Sequence, residues 1–429
     1  MTRVVPPTVA DTLEPVLGRV FGDDLAVELR FWDGSAFGRP EVGTVRFNRS
    51  EAVRRMVWSP DELGLARAFV VGDIDVDGNM IDVLRAVQIG ADGDTRALLR
   101  VAPELVRAAT SIGGLGTPPP RPPEEVVPHG IRHSRRRDRT AVSHHYDVGN
   151  DFYELVLGPS MTYSCARFTT SDATLEEAQS AKHESICRKL GLDRPQSDGA
   201  GRRRLLDVGC GWGSMAIHAA SQHDVDVVGV TVSNEQATAA RRRVADAALA
   251  DRIEIRVEDY REVDDGPYDA ISSIGMAEHV GHRRMVGYFE RLFDLLSPGG
   301  RLLNHAIASV GGSRLGRRSF VNRYVFPDGE LLDIADTVRS MERAGFEVRD
   351  VENLREHYEQ TLRCWVGNLE RQWDAAVDLV GEARSRVWLM YMSGSVNGFQ
   401  DAGLQIYQTL GVRRHVGGAS DMPRTRAGW

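Results

Sequence analysis

The residues that point most clearly to chemistry form a glycine-rich turn, Asp207-Val208-Gly209-Cys210-Gly211-Trp212-Gly213. The apolar pair Leu205-Leu206 before it predicts a buried strand, and residues 214–220 after it predict a helix. Glycines can adopt positive φ and let a ligand approach the main chain, and the helix start offers unpaired N–H groups. Asp207 stands where a strand-end carboxylate can orient that ligand. A purely structural glycine turn is the alternative, but the flanking pattern favours a nucleotide-type ligand.

A second segment indicates which ligand is meant. A strand predicted at residues 225–232 runs into Gly229-Val230-Thr231-Val232-Ser233-Asn234-Glu235-Gln236, without the acidic residue that grips a ribose in dinucleotide folds. The first turn also lacks the Gly-x-Gly-x-x-Gly spacing of NAD sites. Together the two segments resemble motifs of class I S-adenosylmethionine (SAM) methyltransferases, more narrowly those that act on lipid acyl chains.

Alternating strands and helices from residue 204 onward would position these segments. The predicted strands are 204–209, 225–231, 252–257, 268–274, 300–308, 345–353 and 404–410, and the predicted helices between them are 214–222, 234–248, 282–296 and 331–344. The predicted fold class is α/β, with a doubly wound, mostly parallel, Rossmann-like sheet of the class I SAM-methyltransferase type and a smaller N-terminal domain. Asp259-Tyr260-Arg261 and residues 275–281 follow the third and fourth strands. We expect both at the ligand-bearing edge of the sheet.

The whole chain is predicted to contain four regions. These are a lipid- or partner-associated N-terminal domain at 1–112, a linker at 113–129, a SAM-dependent methyltransferase domain at 130–410 and a flexible tail at 411–429. Asp73–Gly78 is predicted as a solvated turn, because its acids lack EF-hand spacing. Helices are predicted at 80–106, 175–190, 357–380 and 387–399.

Composition narrows the function classes. The formal charge of −8, from 61 acidic and 53 basic residues, argues against bulk nucleic-acid binding. Cys165, Cys187, Cys210 and Cys364 have no metal-knuckle or disulfide spacing, so no metal is predicted. The sequence has no apolar run of about 20 residues and no signal-peptide core, which predicts a cytoplasmic protein. Arginine clusters at 132–139, 202–204, 241–243 and 314–318 are solvated faces or contacts to anionic lipid headgroups.

Seven motifs occur in an order that resembles one family. They are His145-Tyr146-Asp147-Val148-Gly149-Asn150, Met161-Thr162-Tyr163-Ser164-Cys165, the Asp207 glycine turn, Gly229 to Gln236, Gly275-Met276-Ala277-Glu278-His279-Val280-Gly281, Tyr324-x-Phe326-Pro327-x-Gly329 and His357-Tyr358-x-x-Thr361-Leu362. The chain is thereby similar to the cyclopropane-fatty-acid synthase family, which includes mycolic-acid cyclopropane synthases. The strong match covers about residues 130–410, and the N-terminal domain is more loosely similar to that of phospholipid-acting members.

The resemblance implies two sets of site residues. SAM would contact Tyr163, Ser164, Asp207, Gly209, Gly211, Gly213, Thr231, Val232, Gln236, Tyr260 and Arg261. A bicarbonate ion near the acyl chain would be held by Cys165, Glu278, His305, Ile307 and Tyr358. His305 and Ile307 are two residues apart on a predicted strand, so they face the same side. His305 as a core histidine and Glu278 as a helix-cap partner are the structural alternatives.

The implied reaction transfers one carbon from SAM to the cis double bond of an unsaturated phospholipid acyl chain. Bicarbonate held by Glu278 and His305 would act as the base, and Cys165 is assigned to positioning rather than to a thiol nucleophile. Arg167 and Ala277 stand where many members have an aromatic residue, and residues 63–78 resemble actinobacterial enzymes that make 10-methylene, later 10-methyl, fatty acids. We therefore expect a methylene-branched product, with cyclopropane formation as the alternative.

Two other functions stay open: a methyltransferase for a small amine or hydroxyl, and a non-catalytic lipid-binding protein that retains SAM. Reaching acyl chains without a spanning helix predicts peripheral contact at the inner face of the membrane. A homo-oligomer and a reductase partner are compatible with the sequence.

Overall fold

The computed structural model describes residues 6–22, 24–90, 97–126, 149–194, 201–312, 316 and 318–427. The arginine cluster 132–139 and the motif residues 145–148 lie outside the described residues. The chain forms two compact units. The first comprises Met1–Val127, Gly316–Pro327 and Trp373–Asn397, and the second comprises Pro128–Leu315, Asp328–Gln372 and Gly398–Trp429. Two segments within the predicted 130–410 domain thus belong to the first unit, and the linear domain boundaries stay predictions.

A seven-stranded sheet organises the second unit. Its strands are β5 (Arg203–Val208), β6 (Val225–Thr231), β7 (Ile253–Val257), β8 (Tyr268–Ile274), β9 (Leu296–Ser309), β10 (Glu347–Asn353) and β11 (Leu404–Val412), in the order β10-β11-β9-β8-β5-β6-β7. All neighbouring pairs from β7 to β9 are parallel, whereas β11 runs antiparallel to β9 and β10. The chain order reverses at β5, so the crevice beside its carboxyl end is the expected ligand position.

Helices connect these strands. In this unit they are α7 (Asn150–Leu157), α8 (Leu175–Leu190), α9 (Ser214–Gln222), α10 (Asn234–Asp246), α11 (Ala277–Val280), α12 (Met285–Asp294), α14 (Ile334–Arg343) and α15 (Arg355–Arg371). Several begin at side-chain caps: Thr174 and Glu177 form a reciprocal capping box on α8, and Ser233 accepts from Gln236 N on α10.

Both faces of the central strands are buried, which explains the nearly continuous apolar character of β5 and β6. Successive residues point to opposite faces. Leu206 and Val228 pack in one core cluster with residues of α12 and α14. Their neighbours Leu205 and Val227 pack in the other, with residues of α8, α9 and α10. The α/β, mostly parallel fold predicted from the sequence is confirmed.

The predicted helix at 357–380 is wrong as a single element. It is two helices, α15 and α16 (Trp373–Val380), separated at Gln372, whose φ of −118° and ψ of 31° leave the helical region. The break coincides with the passage of the chain from the second unit to the first. No proline or glycine marks this position, so the local sequence contained no stop signal.

The first unit contains a four-stranded sheet and its own apolar core. Its strands are β1 (Val27–Arg30), β2 (Ala36–Phe37), β3 (Gly43–Phe47) and β4 (Ile74–Gly78), in the order β2-β1-β3-β4. Its helices are α1 (Val9–Phe21), α2 (Glu51–Trp58), α3 (Glu62–Val70), α4 (Met80–Gly90), α5 (Ala97–Arg100), α6 (Ala102–Ser111), α13 (Phe320–Tyr324), α16 and most of α17 (Glu382–Gln400).

Two local predictions in this unit are wrong. Residues 74–78 form a strand rather than a turn, because their apolar–acidic alternation has period two and pairs with β3. Asp73 beside it is buried and accepts from Arg55 Nε at 2.8 Å. The predicted helix at 80–106 is divided among α4, α5 and α6, and Pro103 in the first turn of α6 explains its separate start.

The two later segments of the first unit, Gly316–Pro327 and Trp373–Asn397, are hydrogen-bonded to its N-terminal part. Arg386 on α17 donates to Asp75 Oδ1 at 2.6 Å and to the carbonyl oxygens of Phe69 and Ile74. Asn397 on the same helix donates to Ile81 O, and Phe320 N at the start of α13 donates to Glu62 Oε1 at 2.7 Å. These bonds, of long sequence separation, are part of the fold of this unit.

Lys189 fastens α8 to the edge of the large sheet, and this contact yields a stability prediction. Its buried ammonium donates to Gln408 Oε1 at 2.9 Å and lies 3.3 Å from Asp350 Oδ2, with Glu352 as a third partner. Replacing it leaves two carboxylates partly unpaired, so Lys189→Met should lower the free energy of unfolding by about 2–3 kcal/mol in urea denaturation. Arg242→Met, on a side chain 85% exposed, should change it by less than about 0.5 kcal/mol. Equal effects of the two substitutions would contradict this.

Candidate active site

A cavity opens at the carboxyl ends of β5, β6 and β8, within the second unit. Ten of the residues predicted to bind SAM line it: Tyr163, Ser164, Asp207, Gly209, Gly211, Thr231, Val232, Gln236, Tyr260 and Arg261. Gly213 does not; it caps the start of α9 with a φ of 79°. The sequence-predicted set is thus brought together, apart from one residue whose place is structural.

The glycine turn is fixed to the end of β6. Gly209 N and Cys210 N both donate to Val230 O, at 2.9 and 3.0 Å. Gly209 has a φ of 75°, and a Cβ there would lie 2.5 Å from Met276 Cγ. Both the backbone conformation and the available space therefore require glycine. The turn leaves the main chain open to the cavity.

Asp207 carries an unsatisfied acceptor at the cavity. The side chain is 2% exposed, and its Oδ1 accepts from Ser272 Oγ at 2.7 Å. Its Oδ2 is buried with no hydrogen-bond partner among the described residues. Burial raises the pKa of Asp207 to about 6. A buried acceptor of this kind is normally paired, so it marks where a ligand donor belongs.

Other parts of the cavity lining come from the end of β6 and from the segment after β7. Thr231 Oγ1 donates to Gln236 Oε1 at 2.9 Å, which fixes the side chain of Gln236. Tyr260 packs edge-on against Tyr288, with 4.9 Å between ring centroids. Arg261 is held by both carboxylate oxygens of Asp259. These contacts immobilise the polar and aromatic groups that would recognise a ligand.

Lys182 is a cavity residue that the sequence reasoning missed. It is fully buried on α8, lines the cavity, and donates to Ser164 Oγ at 3.0 Å. Burial lowers the pKa of its ammonium to about 7. On an amphipathic helix a lysine is ordinarily assigned to the solvent face. The available signal was its place in the apolar stripe, four residues after Ala178 and four before Ile186, both buried.

The residues predicted to hold bicarbonate include Glu278 on α11 and both His305 and Ile307 on β9. None of the five predicted residues is among those that line the cavity. Ile307 N donates to Glu278 Oε1 at 2.7 Å. Glu278 Oε2 and both ring nitrogens of His305 are buried without a hydrogen-bond partner among the described residues. Burial raises the pKa of Glu278 to about 7 and lowers that of His305 well below its usual value. The pair therefore offers a neutral imidazole and a carboxyl poised to exchange a proton near pH 7.

Cys165 and Tyr358 complete this set on neighbouring segments. Cys165 Sγ lies 3.7 Å from Leu354 O, directly before the helix that carries Tyr358. Burial raises the pKa of the Cys165 thiol, which disfavours the thiolate that a nucleophile needs. The charge of Lys182 acts on Cys165, His305 and Asp207. This lysine thus links the two predicted sets electrostatically.

Comparison with known proteins shows which family this chain resembles. A family model described as mycolic acid cyclopropane synthetase matches residues 133–409. The chain is 39% identical over 404 residues to a probable fatty acid methyltransferase of Mycobacterium tuberculosis, which covers 91% of this chain and 92% of the relative. It is 30% identical over 416 residues to a tuberculostearic acid methyltransferase of the same organism, covering 91% of this chain and 88% of that relative. The matches to these two methyltransferases are long enough to extend into the first unit.

Solved structures share the fold of about two thirds of this chain. The crystal structure of a mycolic acid cyclopropane synthase complexed with SAH and CTAB matches with a TM-score of 0.58 and 32% identity, covering 64% of this chain and 98% of that chain.

The raised pKa of Glu278 predicts a pH-dependent stability. The folded carboxyl, with a pKa of about 7, binds its proton more tightly than an unfolded one at 4.5. Its contribution to stability is therefore complete below about pH 4.5 and is lost as pH rises through 7. Between pH 5 and 8 the wild type should lose on the order of 2 kcal/mol relative to Glu278→Gln, measured by urea denaturation at each pH. Glu290→Gln, an exposed glutamate on α12, should track the wild type. Parallel pH profiles of Glu278→Gln and wild type would refute the assignment.

Proposed function

This chain belongs to the mycolic acid cyclopropane synthetase family, and on that premise we propose that it transfers a one-carbon unit from SAM to the cis double bond of an unsaturated phospholipid acyl chain. The observation that carries the proposal is the pairing of two features in one unit. A cavity of the SAM-binding type occurs in the same unit as Glu278 and His305, whose Oε2 and ring nitrogens are buried without a hydrogen-bond partner among the described residues.

The cavity offers each part of SAM a suitable surface. The open oxygen of Asp207 and the glycine turn suit the polar amino-acid portion. Thr231 and Gln236 suit the ribose hydroxyls, in place of the acidic residue of dinucleotide folds. Tyr260, held by Tyr288, suits the adenine plane. Lys182 beside Ser164 adds a cation that a carboxylate can pair with.

The second set fits a small, planar oxyanion such as bicarbonate. His305 and Glu278 both have buried polar atoms without a partner in the part of the chain that the structure describes, while Cys165 and Tyr358 are held on adjoining segments. The amide of Ile307 is already used by Glu278, so it orients that carboxylate. When bound there, bicarbonate would supply a proton acceptor close to the acyl chain.

Alignment and charge placement carry most of this reaction, because an isolated alkene is a weak nucleophile with no proton to remove. Methyl transfer leaves a carbocation on the neighbouring acyl carbon. Tyr163 and Tyr358 pack on Trp365, with ring centroids 5.4 and 6.0 Å apart, and aromatic faces stabilise cations. Phe168, stacked on His357, is the third candidate. Ordered rings of this kind can shield the cation from water.

The product depends on which proton or hydride moves next. Proton loss from the new methyl closes a cyclopropane, whereas a hydride shift followed by the same loss gives an exocyclic methylene. Ala277, which precedes Glu278 in the chain and is buried, offers less bulk against the shift than an aromatic residue would. Arg167 lies 3.7 Å from Glu352, so its charge is largely compensated and contributes less than Ala277. We propose the methylene product and retain cyclopropane formation as the alternative.

The rival functions make different use of the same residues. A methyltransferase for a small amine or hydroxyl would need the cavity but not the buried Glu278–His305 pair. A non-catalytic lipid-binding protein would bind SAM without turnover. Glu278 Oε2 and the His305 ring nitrogens are buried without a hydrogen-bond partner among the described residues, which favours chemistry, since such atoms destabilise the folded chain.

Access to the acyl substrate is proposed to occur by peripheral contact at the inner face of the membrane. Within the described residues, no helix has the length and apolar character needed to cross a bilayer. Arg204, Arg241 and Arg243 are engaged in hydrogen bonds inside the second unit. A cytoplasmic location, a homo-oligomer and a reductase partner belong to the same proposal.

Binding of SAM should depend on the glycine turn. Asp207→Ala removes the buried acceptor, and Gly209→Val places atoms against Met276 and strains the backbone. Both should abolish SAM binding measured by calorimetry. Asp226→Ala, a partly exposed carboxylate on β6 that lies outside the cavity, is the matched control and should bind as wild type. Unchanged SAM affinity in both turn variants would remove the cavity from the proposal.

Turnover should depend on Glu278 and yield an unsaturated product. With methyl-deuterated SAM and oleoyl phospholipid, we expect a one-carbon mass gain and vinylic signals in the NMR spectrum. Glu278→Gln should bind SAM but turn over about 100-fold or more slowly, the scale of a lost acid–base group. Glu290→Gln should match wild type. A saturated ring would overturn only the product choice, and no mass gain on unsaturated lipid would overturn the function.

A further inference from the structure

A second pocket lies entirely within the first unit. Trp58, Leu63 and two prolines line it together with five arginines. The arginines are Arg55, Arg67, Arg121, Arg318 and Arg323. We call these residues the arginine pocket. Two of its arginines come from the inserted segment 316–327, so the chain brings distant cations together here against mutual repulsion.

Three of the arginines are fixed by carboxylates behind the pocket. Arg55 Nε donates to Asp73 at 2.8 Å, and both side chains are more than nine-tenths buried. Arg67 makes two bonds of 2.7 Å to Glu125, whose side chain is fully buried. The Arg318 guanidinium lies 3.0 Å from Asp61 and also donates to Ser59 Oγ. These pairs hold the guanidinium groups in place, so the pocket is preorganised.

The other two arginines have uncompensated charge. Among the residues that the structure describes, neither Arg121 nor Arg323 forms an ion pair. Arg323 makes one long bond, 3.4 Å to Val126 O, and its buried Nε has no partner there. Buried donors are nearly always paired, which points to an acceptor that enters the pocket.

The chemistry of the pocket and its apolar wall define that acceptor. Guanidinium forks match phosphate oxygens in geometry as well as in charge. Trp58, 53% exposed and held by a bond from its Nε1 to Gly116 O, lies beside the cations with Leu63. Tryptophan in such a setting suits the boundary between water and lipid. The combination fits a phosphate attached to an apolar chain better than a free ion.

We propose that the arginine pocket binds the phosphate of a phospholipid headgroup. The assignment rests on the proposed function, since phospholipids are the substrate class of that function. The pocket and the candidate active site are made of different residues in different units, so headgroup binding and one-carbon transfer can be measured separately.

The test uses the full chain and the two uncompensated arginines. Arg121→Ala with Arg323→Ala orphans no carboxylate among the described residues, so folding should persist, checked by the melting temperature. Calorimetry with dihexanoyl phosphatidylglycerol below its micelle concentration should show affinity reduced at least about 10-fold, because charge-assisted bonds are lost. Arg107→Ala with Arg242→Ala removes the same charge from sites 75% and 85% exposed and should bind as wild type.

Titration with inorganic phosphate distinguishes the two sources of the anion. Weaker binding of phosphate than of the short-chain lipid, with competition between them, supports the headgroup. Phosphate binding without lipid binding, or equal lipid affinity in the Arg121/Arg323 variant and wild type, overturns the proposal. Loss of lipid binding in that variant while wild type shows no one-carbon transfer would support the pocket and sink the proposed function instead.

Discussion

Desolvation of ionisable groups is the constraint on which the rest of the second unit depends. Lys182, Asp207 and His305 are at most 2% exposed, and Oε2 of the Glu278 carboxylate is buried as well. Groups in such a place must be neutral, paired or matched by a ligand. Burial accordingly shifts the pKa of each group in the direction that favours its uncharged form. The sheet, packed on both faces, is rigid enough to hold these groups where water would otherwise be required.

This constraint also explains the division of labour between the two predicted residue sets. The cavity presents hydrogen-bond partners of fixed orientation, as cofactor recognition requires. Glu278 and His305 present hydrogen-bonding atoms without partners among the described residues in a desolvated environment. A proton can be transferred there with little reorganisation of the surrounding dipoles. Lys182 acts on members of both sets, so a change of charge in one is felt by the other.

The sequence was sufficient for the sheet and most of the cavity, because both are encoded locally. Strands buried on two faces appear as apolar runs, and ligand turns follow them directly, as at Asp207 and Tyr260. The sequence-based predictions were wrong or incomplete where contacts between residues distant in the sequence determine the structure. Residues 74–78 became a strand by pairing with β3, and Lys182 was hidden on an amphipathic helix. The break at Gln372 and the membership of Trp373–Asn397 in the first unit have no local signal.

Because the chain passes repeatedly between its two units, the fold limits how the gene can recombine. The polypeptide passes between them five times, at 127/128, 315/316, 327/328, 372/373 and 397/398. A single recombination breakpoint therefore cannot exchange the first unit for another. Cutting after residue 127 would separate Asp75 from Arg386 and Glu62 from the amide of Phe320. The two units must consequently be inherited and diversify as one gene segment, unlike modules joined end to end.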